Sequence, residues 1–182
     1  KHQMNVEFFK EFGRTNPTLP LRDAGNIVQG NACRLDWEEV CPKNQDDEIY
    51  ILGNPPYAGQ KKQSIGQKED LKLLFKNKTN YKTLDYVSCW FLKGYEFIDD
   101  NIKIGFVSTN SICQGNQVGL LWPLILKSNI EIIFAVPNFK WTNNAKGAAT
   151  VTCSIIGLSK RSSKRVKYIF LKNNIIKASN IN

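Results

Sequence analysis

Glu48-Ile49-Tyr50-Ile51-Leu52-Gly53-Asn54-Pro55-Pro56-Tyr57 is the stretch on which the reading of this chain turns. A short apolar run closed by glycine predicts a buried parallel strand over residues 48–52. The next residues cannot continue it, because Pro55 and Pro56 have no N–H to give to a sheet ladder. In open parallel α/β sheets, ligands bind where strands end. Asn54-Pro55-Pro56-Tyr57 therefore falls where a site is expected.

Outward from this stretch, the pattern alternates. Residues 102–108, 130–136, 150–158 and 166–171 are further strand candidates, the first a buried one. Residues 84–99 predict a strong amphipathic helix, with Tyr86, Trp90, Phe91, Tyr95 and Ile98 on one side. Residues 119–128 predict a helix interrupted by Pro123. Residues 58–80, rich in Lys and Gln, predict a loop with some helix. Upstream, Met4, Phe8, Phe9 and Phe12 have helical spacing ended by Gly13 as a C-cap. Pro17 and Pro20 mark a loop over 15–23, and Asn26–Gln29 is a short strand candidate before a Gly30-Asn31 turn. Strands alternating with helices predict an α/β fold with a mostly parallel, doubly wound sheet.

The chain of 182 residues suffices for one α/β domain, and 42% hydrophobic with 23% charged residues excludes wholesale disorder. Its net charge of +9 favours a polyanion partner, of which nucleic acid is the commonest. Much of the surplus lies in Lys160-Arg161-Ser162-Ser163-Lys164-Arg165-Val166-Lys167, read as either a phosphate-contacting patch or a solvated linker. Five scattered cysteines without a C-x-x-C pair argue against a disulfide framework or a metal site and for a reducing cytoplasm. No apolar run approaches the ~20 residues of a membrane span, and no signal peptide is visible. Both ends read as cuts through a longer protein.

Each residue of the tetrad fits one chemical task. An exocyclic amine on a purine is a poor nucleophile because its lone pair is delocalised into the ring. Two acceptors aimed at its N–H hydrogens would localise that lone pair: the Asn54 side-chain oxygen and the Pro55 carbonyl. The prolines would hold these acceptors rigid. Tyr57 offers a face on which a base can stack. A Pro-Pro turn with a packed tyrosine is the plain structural alternative. Its weight falls at the end of a buried strand.

Asn54-Pro55-Pro56-Tyr57 resembles the signature of S-adenosylmethionine-dependent amino-group methyltransferases. The resemblance extends to His2-Gln3-Met4-Asn5, Asn26-Ile27-Val28-Gln29-Gly30-Asn31-Ala32 and Leu35-Asp36-Trp37. It continues in residues 107–115 with Leu121-Trp122-Pro123, and in Phe139-Lys140-Trp141 with Ala145 and Ile155-Ile156-Gly157. Together these segments are similar to the gamma-type adenine-N6 DNA methyltransferases, often fused to a nuclease in type IIG restriction–modification enzymes.

The resemblance implies a truncated Rossmann-like methyltransferase fold lacking the first two strands, over residues 1–158. Residues 159–182 would be a basic linker or the start of a target-recognition region. It implies Asn54, Pro55, Pro56 and Tyr57 as catalytic residues. Asp36 and Asn54 would bind the cofactor, although Asp36 is also read as a helix N-cap. Tyr57 and one of Phe139 or Trp141 would sandwich an extruded adenine, and Gly53 would permit close backbone approach. The implied cofactor is S-adenosylmethionine, the partner double-stranded DNA and the compartment the bacterial cytoplasm. The family's glycine-rich cofactor loop and ribose-binding acid are absent here. The isolated chain is therefore expected to be inactive, and to expose a sheet edge that frays, pairs with Asn26–Gln29 or dimerises. An inactive DNA-binding fragment and a protein-glutamine methyltransferase are the competing readings.

Overall fold

A computed structural model describes residues 9–11, 13, 26–44, 46–127, 129–141, 151–163 and 165–181. The expected N-terminal helix enters this set only at its end. Residues 9–11 are helical, and Gly13, at φ +65°, donates its amide to the Phe9 carbonyl at 2.9 Å. A left-handed residue closing a helix in this way suits glycine, which has no Cβ to clash. Met4, Phe8 and Phe12, the loop over 15–23 and Ala145 lie outside the described residues.

Six strands form one sheet: β1 (Ile49–Gly53), β2 (Ile102–Thr109), β3 (Ile130–Trp141), β4 (Val151–Lys160), β5 (Lys167–Leu171) and β6 (Asn174–Ala178), in the order β1-β2-β4-β3-β5-β6. The parallel frame expected from the alternation holds at β1–β2 and β3–β5. β4 runs against both β2 and β3, and β6 against β5, so the sheet is mixed. The cause is local. β4 follows β3 as an antiparallel partner and wedges between it and β2. No structural break falls at residue 158, since β4 continues to Lys160. Residues 167–178 then add a hairpin to the same sheet.

Asn26–Gln29 is not a strand. These residues have no regular structure and are exposed, Ile27 at 97%. Asn26 Nδ2 donates to the Val40 carbonyl at 3.2 Å. Among the described residues no strand lies beyond the outer edge of β1, so neither Asn26–Gln29 nor any other segment completes a ladder there.

Helix α3 (Ser88–Phe97) packs on one face of the sheet at β2 and contacts both α2 (Ile65–Phe75) and α4 (Gly115–Ile125), and Trp37 of the short α1 (Trp37–Val40) meets Phe97 of α3 with ring centroids 6.0 Å apart. That face carries Ile102, Ile104 and Phe106, all nearly solvent-free. Gly94 of α3 lets the helix approach: a Cβ there would sit 2.5 Å from the Ile104 Cδ1. Phe91 meets both Phe106 and Trp122 edge-on, with ring centroids 5.4 and 5.6 Å away. Such aromatic contacts add roughly 0.5–1.5 kcal/mol each beyond area burial.

Two helices differ from expectation for identifiable reasons. The helix expected over 84–99 begins at Ser88, because the preceding backbone is committed elsewhere: Tyr86 N donates to the Ala58 carbonyl, and Val87 N to the Asp85 carboxylate. Pro123 does not interrupt its helix, which starts earlier than expected, at Gly115, and runs on to Ile125. Lying in the last turn, Pro123 removes a single ladder bond where the helix is ending anyway. β3 also outruns its expected end at Val136. It passes Pro137 and Asn138 (φ +54°) through a register shift before pairing resumes at Phe139, a position where a strand tolerates the missing proline N–H.

Candidate active site

The tetrad lies where β1 ends. Gly53 is the last strand residue, opposite Phe106 in the parallel ladder. Pro55 is buried, Tyr57 half-buried, and Asn54 and Pro56 exposed. The Asn54 side chain makes no hydrogen bond to another described residue, so its amide is free for a ligand. Gly53, Asn54 and Pro55 line a cavity of about 500 Å³ whose other walls include Leu35, Trp37 and Phe97. This lies within the usual size for a small-molecule or cofactor site, about 300–1,000 Å³.

The far wall of this cavity, residues 31–37, is fixed by a buried carboxylate. Asp70, 2% exposed, accepts from Asn31 Nδ2 at 2.8 Å, Arg34 Nε at 2.7 Å and the Tyr86 hydroxyl at 2.7 Å. Burial alone would raise the Asp70 pKa. The hydrogen bonds from Asn31, Tyr86 and Arg34 and the Arg34 charge outweigh it and hold the carboxyl below its ordinary value. Trp37 is oriented by its Nε1 donation to the Ala32 carbonyl at 2.8 Å, with the Lys93 ammonium 5.7 Å from its ring centroid. Lys93 also donates to the Leu35 carbonyl at 2.7 Å. Asp36 lies between the two wall residues Leu35 and Trp37. Its Oδ1 caps α1 by accepting from Glu38 N at 2.8 Å, so the N-cap reading holds for that oxygen.

Behind Tyr57 the loop is pinned from both sides. Ala58 N donates to the Asp85 carboxylate at 2.9 Å. Gln63, buried, donates to the Ala58 carbonyl at 2.9 Å and the Leu84 carbonyl at 2.8 Å. Asp85 N in turn donates to Gln117 Oε1 at 3.0 Å, which ties the loop to α4. Sequence reading missed Asp70, Asp85 and Gln63. Asp85 leaves a trace in sequence as an acidic residue interrupting an otherwise apolar stretch, whereas Asp70 follows Lys68-Glu69 and is indistinguishable from a solvated surface acid.

The Tyr57 hydroxyl lies against the Cys153 thiol of β4. Burial and this neighbour raise the tyrosine's pKa above its ordinary value of 10.0, so it stays a neutral phenol. Cys153 pairs in register with Thr109 of β2 on one side and with Phe139 of β3 on the other. The sheet thus brings Phe139 to the strand position next to Tyr57's neighbour. Trp141 lies one pleat further out, opposite Val151, and is 38% exposed. The two rings lie 6.1 Å apart, centroid to centroid.

Three residues of the late basic run form ion pairs within the fold. Lys160 pairs with Asp99 at 2.6 Å and Asp100 at 3.0 Å. Lys167 and Arg165 both converge on the buried Glu131, at 2.9 and 3.6 Å. All five cysteines are free thiols. Among the described residues no group of three or more His, Cys, Asp or Glu could hold a metal, and no helix is long and apolar enough to cross a membrane.

The chain thus presents a mixed α/β sheet of partial Rossmann-like type with an Asn-Pro-Pro-Tyr loop at a strand end beside a cavity of about 500 Å³. Residues 1–171 match the family model described as the MmeI DNA-methyltransferase domain, and the chain belongs to that family. It is 45% identical over 183 residues to DNA methyltransferase A of Bacillus subtilis (strain 168), covering all of this chain and 21% of that protein. It superimposes on the solved type IIL restriction-modification enzyme MmeI in complex with DNA with a TM-score of 0.80 and 42% identity, over 99% of this chain and 25% of that one. The chain thus spans about a quarter or less of the length of these relatives.

Proposed function

We propose that this chain forms the amine-holding part of an enzyme that transfers a methyl group from S-adenosylmethionine to adenine N6 in double-stranded DNA, within a restriction–modification protein. The observation that carries this reading is the exposed, uncommitted Asn54 amide beside the buried Pro55, at a strand end and on the wall of a cavity of about 500 Å³.

The donor set suits the cofactor. Trp37, Leu35 and Phe97 give apolar walls for a purine, and Asp36, between the first two in sequence, keeps its second carboxylate oxygen for the cofactor while Oδ1 caps α1. When bound, S-adenosylmethionine supplies a methyl group on a positively charged sulfur, and its own adenosine would occupy this cavity. The chain's residues do the rest. Asn54 Oδ1 and the Pro55 carbonyl accept the two N–H bonds of the target amine and draw its nitrogen toward tetrahedral geometry. They act as a preorganised electrostatic clamp. The buried Pro55 backbone cannot turn away, and Gln63 and Asp85 hold the loop that follows. Tyr57 presents its ring to a base taken out of the duplex, an extrusion such chemistry requires. Phe139 is favoured over Trp141 as its partner, because it lies opposite Cys153, against which Tyr57 rests. No group needs to remove a proton beforehand; water can take it after the transfer.

The test is methylation of duplex DNA by the full-length protein carrying this chain, with labelled S-adenosylmethionine and mass spectrometry of the digested nucleosides. The expected product is N6-methyladenine, lost in Asn54→Ala. Label on cytosine, or on a glutamine-bearing protein in place of DNA, would overturn the assignment.

A further inference from the structure

The Asn54–Gln63 loop has a second end. Its first residues line the cavity described above. Gln60, Lys61 and Gln63 line a separate open groove of about 570 Å³, bounded by α2 and by the single 3₁₀ turn Tyr81–Thr83. Its walls are apolar at Ile65, Leu71 and Tyr81, and its rim carries Lys61, Lys68, Lys72 and Lys82. Ile65, Lys68 and Lys72, at i, i+3 and i+7, share one face of α2.

The charge state of these lysines sets them apart from the basic run at 160–167. All four are exposed, and none forms an ion pair with another described residue. The single acid on the rim, Glu69, is engaged by Arg34 at 3.6 Å. Four like charges around one apolar groove repel one another, and none of the four has an ion-pairing counter-charge among the described residues. A phosphodiester strand would supply it. The N-terminus of α2 does not contribute, because Ser64 and Gln67 close it with a reciprocal capping box.

The groove is also rigidly linked to the tetrad. Gln63, one of its lining residues, makes the two hydrogen bonds that fix Ala58 and Leu84. A strand seated in the groove would therefore be held at a fixed offset from Tyr57.

We propose that the Lys61–Lys68–Lys72–Lys82 groove binds the sugar–phosphate backbone of the DNA strand next to the extruded base, the lysines on phosphates and Ile65 and Tyr81 against the sugars. This rests on the DNA reading above and adds a surface to it. It also moves the phosphate contacts away from the late basic run.

The test uses the full-length protein and the variant K61Q/K68Q/K72Q/K82Q, with K172Q/K177Q on the exposed β5–β6 hairpin as control. Affinity for a random-sequence duplex is measured by fluorescence anisotropy at several salt concentrations. Each phosphate contact contributes about 0.9 to the slope of log affinity against log salt. The groove variant is expected to lose about 3 to 4 units of slope, and the control less than 1. Calorimetric affinity for S-adenosylmethionine should stay at the wild-type value, since none of these lysines lines the other cavity. If that affinity collapses, the single variant K72Q replaces the quadruple one and should lose about 1 unit. An unchanged slope, or an equal loss in the control, overturns the proposal. It would mean that the groove is filled by another part of the polypeptide or left to solvent. Failure of the adenine reading shows separately, as absence of N6-methyladenine from the wild-type reaction.

Discussion

The Asp85 carboxylate accepts the backbone N–H of Ala58 at 2.9 Å, which joins the residue after Tyr57 to the start of a helix far along the chain. The same oxygen also receives Val87 N at 3.3 Å. Asp85→Ala would leave both donors unpaired in a buried setting, at a cost of about 1–3 kcal/mol. Because one donor belongs to the tetrad loop, methyl transfer should fall as well, mainly in kcat. Asp85→Asn retains an acceptor oxygen and should recover most of both. Thermal unfolding and single-turnover methylation of the two variants check this.

Asn54→Ala removes one of the two proposed acceptors and breaks no hydrogen bond to another described residue. Loss of one preorganised hydrogen-bonding group typically costs about a hundred- to a thousand-fold in kcat. Melting temperature and duplex affinity should be unchanged. A variant that lost DNA binding and kept kcat would contradict the clamp role.

Phe139→Ala and Trp141→Ala separate the two aromatic candidates. With 2-aminopurine at the target position, extrusion from the stack raises fluorescence. Phe139→Ala should change the extruded state strongly, and Trp141→Ala much less. The reverse order would assign the stacking role to Trp141.

The Asp70 network should confer acid sensitivity on the cavity wall. Its folded-state pKa lies below the ordinary value of 3.8. The resulting stability is fully present above that value and is lost as the pH falls through the lower, folded one. Denaturant midpoints between about pH 6 and pH 2 should fall steeply at the acid end in the wild type. Asp70→Asn should be less stable at neutral pH and show a flatter acid limb.

Gly94→Ala tests the close approach of α3 to β2. The new methyl would meet Ile104 Cδ1 at 2.5 Å on a packed face, and overpacking of this kind costs about 1–3 kcal/mol. A loss of melting temperature without loss of cofactor affinity is expected.

What could be read in advance was local. The positions of β1 and β2 were legible from their apolar runs, and the end of β1 from the two prolines that follow it, but β1 is not the buried strand expected: its residues are half-buried or exposed, Leu52 at 77%, because no strand among the described residues covers its outer edge. β6 was not legible, since the hairpin turn at Lys172-Asn173 lacks a glycine and sits in a polar stretch. The extension of β3 was masked by Pro137, and the start of α3 depended on the commitment of Tyr86 to Ala58. The groups that hold the site rigid, Asp70, Asp85 and Gln63, are ordinary polar residues in sequence. Their meaning comes from partners 16 to 39 positions away or from several carbonyls at once. The basic run at 160–167 was conspicuous in sequence, yet its ion pairs with Asp99, Asp100 and Glu131 required the sheet to exist.

The antiparallel wedge of β4 between β2 and β3 also has a meaning in time. Proteins emerge from the ribosome N-terminus first, so the Asn54–Tyr57 loop is synthesised well before the strand that carries its neighbour Cys153. β1 and β2 can pair as they appear and Tyr57 can pack against the core, but it lacks its Cys153 neighbour until the β3–β4 hairpin arrives and inserts. The nascent chain therefore holds an unfinished site, closed by one late, long-range docking event. Changes in that hairpin should delay the gain of activity more than the gain of secondary structure.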